Sequence, residues 1–245
     1  MDDVDLMLMD VWGVLHDGHA PFDDAPRFLD RVHARGTRVR LVSNASWTAE
    51  RLARHLVQLG FDLAPIDGIF TAGDEARRLV RELQPAGVFH EGMAEPVPGV
   101  PTASLIDCDL VVFANLTVDS ERVLTHALDH QIPIVCANPD LAIWDREGVA
   151  TPKAGSLARR FEELGATLHF AGKPSPGIFW RAAPEGAPLI GDSPSTDLAG
   201  ALAAGMPSIW LKRRAYADEA AILERYRPSR VAASLDELTG PGGPW

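Results

Sequence analysis

The chain of 245 residues has little cysteine. Only Cys108 and Cys136 are present, and neither belongs to a CxxC pair. A disulfide framework or a structural zinc site requires more cysteines at closer spacing, so neither is indicated. We expect both residues to be reduced thiols, as is usual for a cytoplasmic protein.

Long apolar runs are also missing. The N-terminus, MDDVDLMLMD, carries acidic residues where a signal peptide needs basic ones. No later segment approaches the roughly 18 consecutive apolar residues of a membrane span. We therefore expect a cytoplasmic chain with no membrane partner.

Basic residues are outnumbered, since 23 Lys and Arg face 34 Asp and Glu and leave a net charge of −11. A nucleic-acid-binding protein needs a basic surface to displace counterions, so no nucleic-acid partner is expected. One local anion pocket remains compatible with this charge. The apolar share of 46% is that of a globular protein, and the length allows one large domain or two modest ones.

Strand and helix patterns alternate at both ends of the chain. Short apolar runs predict strands, and runs with apolar residues on one helical face predict helices between them. The predicted strands lie at 5–9, 38–44, 66–71, 188–190 and 208–211. The predicted helices begin at Asp24, after Ser46, at Pro174 and at the Ser193-Pro194 pair. This alternation predicts an α/β fold with a parallel sheet covered on both faces.

The middle of the chain, residues 74–168, has a different punctuation. It holds the Pro- and Gly-rich stretch PVPGVP at 96–101 and two apolar strands, LVVFA and IPIVC, that flank a helix. We expect it to form a second α/β unit inserted within the first. The C-terminal GPGGPW is expected to fray.

Polar residues follow the predicted strands of the outer parts. They are Asp10, Ser43 with Asn44, and Asp192 with Asp197. Ligands of open α/β sheets bind at the carboxyl ends of the strands, so these side chains are candidates for one site. Lys173, before a predicted helix, is a further candidate.

Two carboxylates in one site require a cation. Asp10 and Asp192 would repel each other by about 4 kcal/mol at 4 Å and an effective dielectric near 20. Oxygen ligands of high charge favour Mg²⁺. A phosphate could then bind the cation on one side and Ser43, Asn44 and Lys173 on the other.

Four segments in this order resemble the motifs of the haloacid dehalogenase (HAD) superfamily of hydrolases. They are DVWGVLHDG at 10–18, LVSNAS at 41–46, GKPSPGIF at 172–179 and GDSPSTDLAGALAAG at 191–205. The large insert and the ANPD segment at 137–140 are similar to the class IIA, NagD-like branch. The resemblance implies a Rossmann-like core and an inserted α/β cap of the C2 type.

For the reaction, the resemblance implies a Mg²⁺-dependent phosphatase that acts on a small phosphorylated metabolite. Asp10 would be the nucleophile that forms an aspartyl-phosphate. Asp10, the backbone carbonyl of Trp12 and Asp192 would hold Mg²⁺.

Ser43 and Lys173 would bind the phosphoryl group, with Asn44 beside them. Asp197 would orient Lys173 or a metal-bound water. Simpler interpretations exist for each: Ser43 and Asn44 could cap the next helix, and Lys173 could be a solvated surface residue.

Trp12 departs from the family pattern. Phosphatases of the superfamily usually have Asp at this position, two residues after the nucleophile, as general acid and base. Three alternatives follow. Turnover could be slow on alkyl phosphates, His16 or Asp17 could take the role, or the chain could hydrolyse phosphonates or carbon–halogen bonds.

Weaker candidates lie in the insert. Asn138 and Asp140 could contact substrate or only form an Asx turn, and Trp144 and Lys153 need no special explanation.

The sequence therefore predicts a HAD-type core at 1–73 and 169–245 and a cap at 74–168. A weakened protein that binds a phosphate ligand is the alternative to an enzyme. The resemblance also allows a homodimer.

Overall fold

The fold is taken from a computed structural model that describes residues 4–92, 96–145 and 147–239. The GPGGPW tail at 240–245 lies outside the described residues.

The larger sheet has six parallel strands, which come from both ends of the chain. Its order is β12-β11-β10-β1-β2-β3. The strands are β1 (Leu6–Met9), β2 (Arg38–Ser43), β3 (Ile66–Thr71), β10 (Leu189–Gly191), β11 (Ser208–Leu211) and β12 (Arg230–Ala232). The helices that accompany them are α1 (Asp24–Ala34), α2 (Ala49–Gln58), α6 (Pro176–Ala182), α7 (Ala199–Ala204) and α8 (Glu219–Tyr226). The predicted parallel α/β core is thus confirmed.

Both faces of this sheet are buried, as the apolar run of β1 requires. Met7 and Met9 pack into a core with Phe28 of α1. Leu6 and Leu8, which point to the opposite face, pack with Phe179 of α6. A strand buried on both faces has no polar alternation, which is why DLMLM is continuously apolar.

The insert forms a second, four-stranded parallel sheet in the order β4-β5-β6-β9. Its strands are β4 (Val88–Glu91), β5 (Leu110–Phe113), β6 (Ile134–Cys136) and β9 (Leu168–Phe170). Helix α3 (Ala72–Leu83) precedes β4 in the chain, α4 (Ser120–Asp129) lies between β5 and β6, and α5 (Ala154–Glu163) lies between β6 and β9. An antiparallel hairpin, β7 (Ala142–Trp144) with β8 (Ala150–Pro152), extends from this unit.

We keep the core and cap boundaries at 73/74 and 168/169 as a proposal. Strand β9 straddles the second boundary, and its three residues pair with β6. The other strands of the two sheets fall on the proposed sides.

Two elements differ from the sequence prediction. Helix α6 begins at Pro176 and not at Pro174. Ser175 precedes a proline and has ψ 128°, an extended conformation that a residue before proline favours. The helix expected from Ser193-Pro194 begins with a π-helical turn, Pro194–Leu198, and continues as α7.

No helix among the described residues is long and apolar enough to cross a bilayer.

Candidate active site

The carboxyl ends of β1 and β10 bring two aspartates together. Asp10 follows β1, Asp192 follows β10, and these strands are neighbours in the sheet. Carboxylate oxygens of Asp10, Asp192 and Asp197 lie within 4.8 Å of one another. The structure therefore gathers the acidic residues that the sequence placed after strand ends.

Lys173 lies between two of these carboxylates. Its Nζ donates hydrogen bonds to Asp10 Oδ1 at 2.5 Å and to Asp197 Oδ1 at 2.7 Å. All three side chains are buried, with Lys173 only 2% exposed. Lys173 is thus not a surface lysine, because both bonds fix its ammonium inside the site.

A π-helical turn places Asp197. The Leu198 backbone N–H donates to Ser193 O at 3.2 Å, an i to i+5 bond of the kind that often occurs at functional sites. Asp197 Oδ2 accepts from the Ser193 backbone N–H at 3.0 Å, and its other oxygen accepts from Lys173. Both oxygens are therefore used, which fits the expected role in orienting Lys173.

The charges of the site are unbalanced. Burial and then repulsion from Asp197 raise the pKa of Asp10 well above its usual value, although Lys173 opposes this. The same two causes raise the pKa of Asp192 to about 7. Burial lowers the pKa of Lys173, but the negative charges of Asp10 and Asp197 have a larger effect, so the pKa of Lys173 is raised above its usual value. One ammonium does not neutralise three carboxylates, so this donor set fits a further cation.

Asp192 makes a close contact with the loop that follows Asp10. Gly13 has φ +84°, and a Cβ built there would lie 2.4 Å from Asp192 Oδ2. A residue with a side chain is thus excluded for both reasons. No described residue donates a hydrogen bond to the Asp192 carboxylate or to the Trp12 carbonyl. These oxygens are free to act as ligands.

The side-chain amide of Asn44 bonds to both backbone groups of Lys173. Its Oδ1 accepts from the Lys173 backbone N–H at 2.7 Å, and its Nδ2 donates to Lys173 O at 3.0 Å. Nδ2 also donates to Asp140 Oδ1 at 2.7 Å. Both amide hydrogens are engaged, so Asn44 holds the backbone of Lys173. Asn44 also lines the cavity, and its contact with phosphate stays a prediction.

Ser43 remains available to a ligand. It is buried at the end of β2 and lines the same cavity as Asp10 and Lys173. Its Oγ accepts a 3.2 Å hydrogen bond from the Ala45 backbone N–H. The hydroxyl hydrogen has no acceptor among the described residues, so it can be donated into the cavity.

Trp12 connects the loop that follows Asp10 to the insert. Its Nε1–H donates to the carbonyl of Trp144, at the end of β7, at 3.1 Å. The indole also meets the ring of His16 edge to face, with centroids 5.6 Å apart. Trp12 therefore makes a contact between core and insert.

His16 and Asp17 differ in their surroundings. His16 lines the cavity and is 3% exposed, while Asp17 Oδ1 accepts from the backbone N–H groups of His19 and Ala20. His16 Nδ1 accepts from the Gly18 backbone N–H at 2.8 Å, so the proton of the neutral ring is on Nε2. His16 Nε2 is buried and has no hydrogen-bond partner within the described part of the chain. Burial and then His55 lower the pKa of His16 to about 4.

The weaker candidates also lie at the cavity. Asn138 Oδ1 accepts from the Asp140 backbone N–H at 3.2 Å, which is the expected Asx turn, and both residues line the cavity. Trp144 and Lys153 line it as well.

The cavity has a volume of about 580 Å³ and extends beyond these residues. Several lining side chains were missed by the sequence interpretation, because they lie in polar or helical segments without a motif. They are Trp47, His55, Arg214, Tyr216, Ile222 and Tyr226.

Two family profiles match the chain. Residues 7–101 match haloacid dehalogenase-like hydrolase, and residues 170–238 match a second profile described as HAD-hydrolase-like. These ranges contain all four motifs and the carboxylate cluster. The chain belongs to the haloacid dehalogenase superfamily.

Curated relatives of this HAD chain agree with the family. The D-glycerol 3-phosphate phosphatase of Mycobacterium tuberculosis is 29% identical over 222 residues, which cover 84% of this chain and 62% of that relative. The dihydroxyacetone phosphatase of Corynebacterium glutamicum is 27% identical over 249 residues, 94% of this chain and 89% of that relative. The chain thus spans less than two thirds of the mycobacterial relative.

Solved HAD structures share the fold. A haloacid dehalogenase-like hydrolase from Brucella suis superposes with a TM-score of 0.82 at 27% identity, covering 95% of this chain and 96% of that chain. A glycerol phosphate phosphatase from M. tuberculosis in complex with magnesium superposes with a TM-score of 0.79 at 26% identity, covering 96% of this chain and 76% of that chain. NagD from E. coli gives 0.75 at 21%, covering 96% and 98%, so the chain has the NagD-like, class IIA fold.

Proposed function

We propose that this HAD chain is a Mg²⁺-dependent phosphatase that hydrolyses a small phosphoric monoester through an aspartyl-phosphate on Asp10. The observation that carries this proposal is the buried Lys173 ammonium held against Asp10 within a carboxylate cluster. Two relatives named as phosphatases, and a neighbour solved with magnesium, support it.

The residues present fit a divalent cation. Asp10, Asp192 and the Trp12 carbonyl would hold it, because the Asp192 and Trp12 oxygens have no competing donor among the described residues. When bound, Mg²⁺ supplies positive charge to the carboxylates and to the phosphoryl oxygens. Asp197, with both oxygens already engaged, is not needed as a ligand.

Asp10 would attack phosphorus through a carboxylate oxygen. A bond forms between that oxygen and phosphorus while the ester P–O bond breaks, and the ester oxygen leaves with the electron pair as an alkoxide or aryloxide, which then takes up a proton to become the alcohol or phenol. Lys173 neutralises phosphoryl charge, and Ser43 donates its hydroxyl hydrogen to a phosphoryl oxygen. Water then hydrolyses the aspartyl-phosphate, releasing phosphate and restoring Asp10.

The leaving oxygen needs a proton or a hydrogen bond. The indole of Trp12 cannot exchange a proton, and Asp17 accepts bonds from its own turn. We infer that His16 takes part of this role, because its Nε2–H is buried, unpartnered and at the cavity. A neutral imidazole can donate such a hydrogen bond. This arrangement favours leaving groups that need little protonation, such as aryl and acyl phosphates.

The test is phosphate release from a panel of aryl, acyl and alkyl phosphates, with Mg²⁺ and with a chelator in its place. Wild type and Asp10→Asn are measured in parallel, and circular dichroism checks that the variant is folded. We expect release that requires Mg²⁺ and is lost in Asp10→Asn. Release that persists in the variant would contradict the aspartyl-phosphate.

The same panel tests the alternatives raised by Trp12. No release from any phosphate would direct the measurement to phosphonates and haloacids. If these also fail, while Asp10→Asn and wild type bind phosphate equally, the chain is a phosphate-binding protein.

A further inference from the structure

Arg214 is an arginine at the cavity whose positive charge opposes the rise that burial and Asp197 cause in the pKa of Asp192. It follows β11, is half-buried and lines the cavity together with Asp10 and Lys173. No described residue accepts a hydrogen bond from its guanidinium or forms an ion pair with it. Guanidinium groups held inside proteins usually meet an anion, because they carry five donors and a permanent charge.

The preceding residue shows what a structural arginine looks like in this loop. Arg213 donates to the carbonyls of Gly13 and Val14, both at 3.1 Å. It also makes two bonds to Asp24, at 2.7 and 3.1 Å. Arg213 therefore holds the loop that follows Asp10, while the neighbouring Arg214 makes no hydrogen bond to a described residue.

Aromatic rings fix Arg214 in place. Its guanidinium carbon lies 4.4 Å from the centroid of Trp144 and 3.9 Å from that of Tyr216. Each of the two residues is itself held by a hydrogen bond: the backbone carbonyl of Trp144 accepts from Trp12 Nε1, and the Tyr216 hydroxyl donates to Asp192 O at 2.7 Å. Stacking uses the faces of the guanidinium and leaves its edge N–H groups free to donate.

The surroundings indicate which part of a ligand Arg214 meets. In the proposed function, Lys173 and Ser43 already bind the transferred phosphoryl group. Trp144 belongs to the β7–β8 hairpin of the insert, so the stacked guanidinium lies where the insert covers the cavity. The cavity of about 580 Å³ falls within the range of roughly 300–1,000 Å³ that holds drug-sized ligands. Space thus remains for a substrate that extends past its phosphate.

We propose that Arg214, stacked on Trp144 and Tyr216, binds a carboxylate of the substrate, a second anionic group on the side of the leaving group. This specificity rests on the proposed phosphatase function, which it refines. A planar guanidinium matches a carboxylate with two parallel hydrogen bonds. The relatives' names do not supply such a group, since glycerol 3-phosphate and dihydroxyacetone phosphate each have one phosphate.

The test compares phosphate esters that differ only in a carboxylate. The pairs are 3-phosphoglycerate with glycerol 3-phosphate, and 4-carboxyphenyl phosphate with phenyl phosphate. We expect wild type to show the higher kcat/KM for the carboxylated member of at least one pair. Arg214→Gln should lower that value about 10- to 100-fold and change the value for the partner ester less than about three-fold.

Arg225→Gln is the matched variant, because Arg225 also lines the cavity but is exposed. Its ratio between the paired esters should equal that of wild type. Equal losses on both esters in Arg214→Gln would mean that Arg214 meets the transferred phosphoryl and would overturn the proposal. The proposal would also be overturned if wild type showed no preference for the carboxylated esters. It would equally be overturned if Arg225→Gln changed the ratio between the paired esters as much as Arg214→Gln.

Binding separates this proposal from the phosphatase itself. Calorimetry of the same esters with Asp10→Asn and with Asp10→Asn/Arg214→Gln, both with Mg²⁺, needs no turnover. A selective loss of affinity for the carboxylated ester supports the anion site even if hydrolysis fails. Unchanged relative affinities reject the anion site even if hydrolysis is confirmed.

Discussion

The ammonium of Lys173 lies 2.5 Å from Asp10 Oδ1 and bonds at the same time to Asp197. The lysine therefore holds the proposed nucleophile through one hydrogen bond and is itself held by the other. Because Asp197 is fixed by the Ser193 backbone N–H, the position of Lys173 depends on the π-helical turn.

Asp197→Asn should mainly lower kcat. The amide oxygen can still accept from Ser193, but the variant removes the charge that holds Lys173 away from a tighter pair with Asp10. We expect kcat to fall about 10- to 100-fold with a smaller change in KM, the size typical of a lost charge-assisted hydrogen bond. Steady-state kinetics at saturating Mg²⁺ checks this.

Asp192→Asn is the comparison, because that carboxylate is a proposed metal ligand. It should raise the Mg²⁺ concentration needed for half-maximal activity. If Asp197→Asn shows this same shift with an unchanged kcat, Asp197 is a ligand and not a positioning residue.

Asn44→Ala should lower the free energy of unfolding by about 2–4 kcal/mol. The variant removes three side-chain hydrogen bonds and leaves the backbone groups of Lys173 buried without partners. Urea denaturation of both proteins measures the difference. Asn138→Ala, which loses one bond within an Asx turn, should cost less than about 1 kcal/mol. Equal costs in the two variants would show that Asn44 does not hold this segment.

The ends of the strands could be predicted from the sequence, but the hydrogen-bond partners of the side chains at those ends could not. Asp10 and Asp192 were found because a parallel sheet brings its carboxyl ends together, a consequence of local pattern alone. Asn44 was expected at phosphate because it follows a strand end, but its hydrogen bonds to the Lys173 backbone, across 129 positions of sequence, could not be predicted from a local pattern.

The contacts between core and insert could not be predicted from the sequence. The hydrogen bond from Trp12 to the Trp144 backbone carbonyl, and the stacking of Arg214 on the Trp144 ring, join segments that are far apart in the chain. Neither has a local period or motif, since their meeting depends on how the insert packs over the sheet. The β7–β8 hairpin that carries Trp144 was likewise not predicted, because its strands have three residues each.

Gly18→Ala should disturb the site far more than Gly36→Ala. Both glycines have positive φ, +95° and +81°, so each alanine carries a backbone cost of about 1–2 kcal/mol. A Cβ at Gly18 would also lie 2.1 Å from the Trp12 ring, while nothing lies within 4 Å at Gly36. We expect Gly18→Ala to displace Trp12 and to lower kcat/KM. Thermal unfolding and kinetics check this, and matching effects of the two alanines would contradict the steric explanation.

His16→Phe tests the hydrogen bond proposed for the leaving oxygen. Phenylalanine keeps a ring against Trp12 but has no Nε2–H. We expect kcat on an alkyl phosphate to fall at least about ten-fold, with little change on 4-nitrophenyl phosphate, whose leaving group needs no donor. His55→Phe, in the same ring cluster, controls for lost packing. A similar drop on both substrates would show that His16 acts through structure only.

Trp12→Asp restores a carboxyl group where family phosphatases usually have one. General acid catalysis contributes roughly 10²- to 10⁴-fold, so hydrolysis of alkyl phosphates should rise relative to aryl phosphates. The variant also breaks the bond to Trp144, and that loss affects both substrates alike. Trp12→Asn has the same size and the same lost contact but no acid, so the ratio of Asp to Asn rates isolates the proton transfer. We expect that ratio to exceed about ten on alkyl esters and to stay near one on 4-nitrophenyl phosphate. An equal ratio on both esters would mean that Trp12 limits the reaction by its bulk or its contact with the insert, and not by the missing acid.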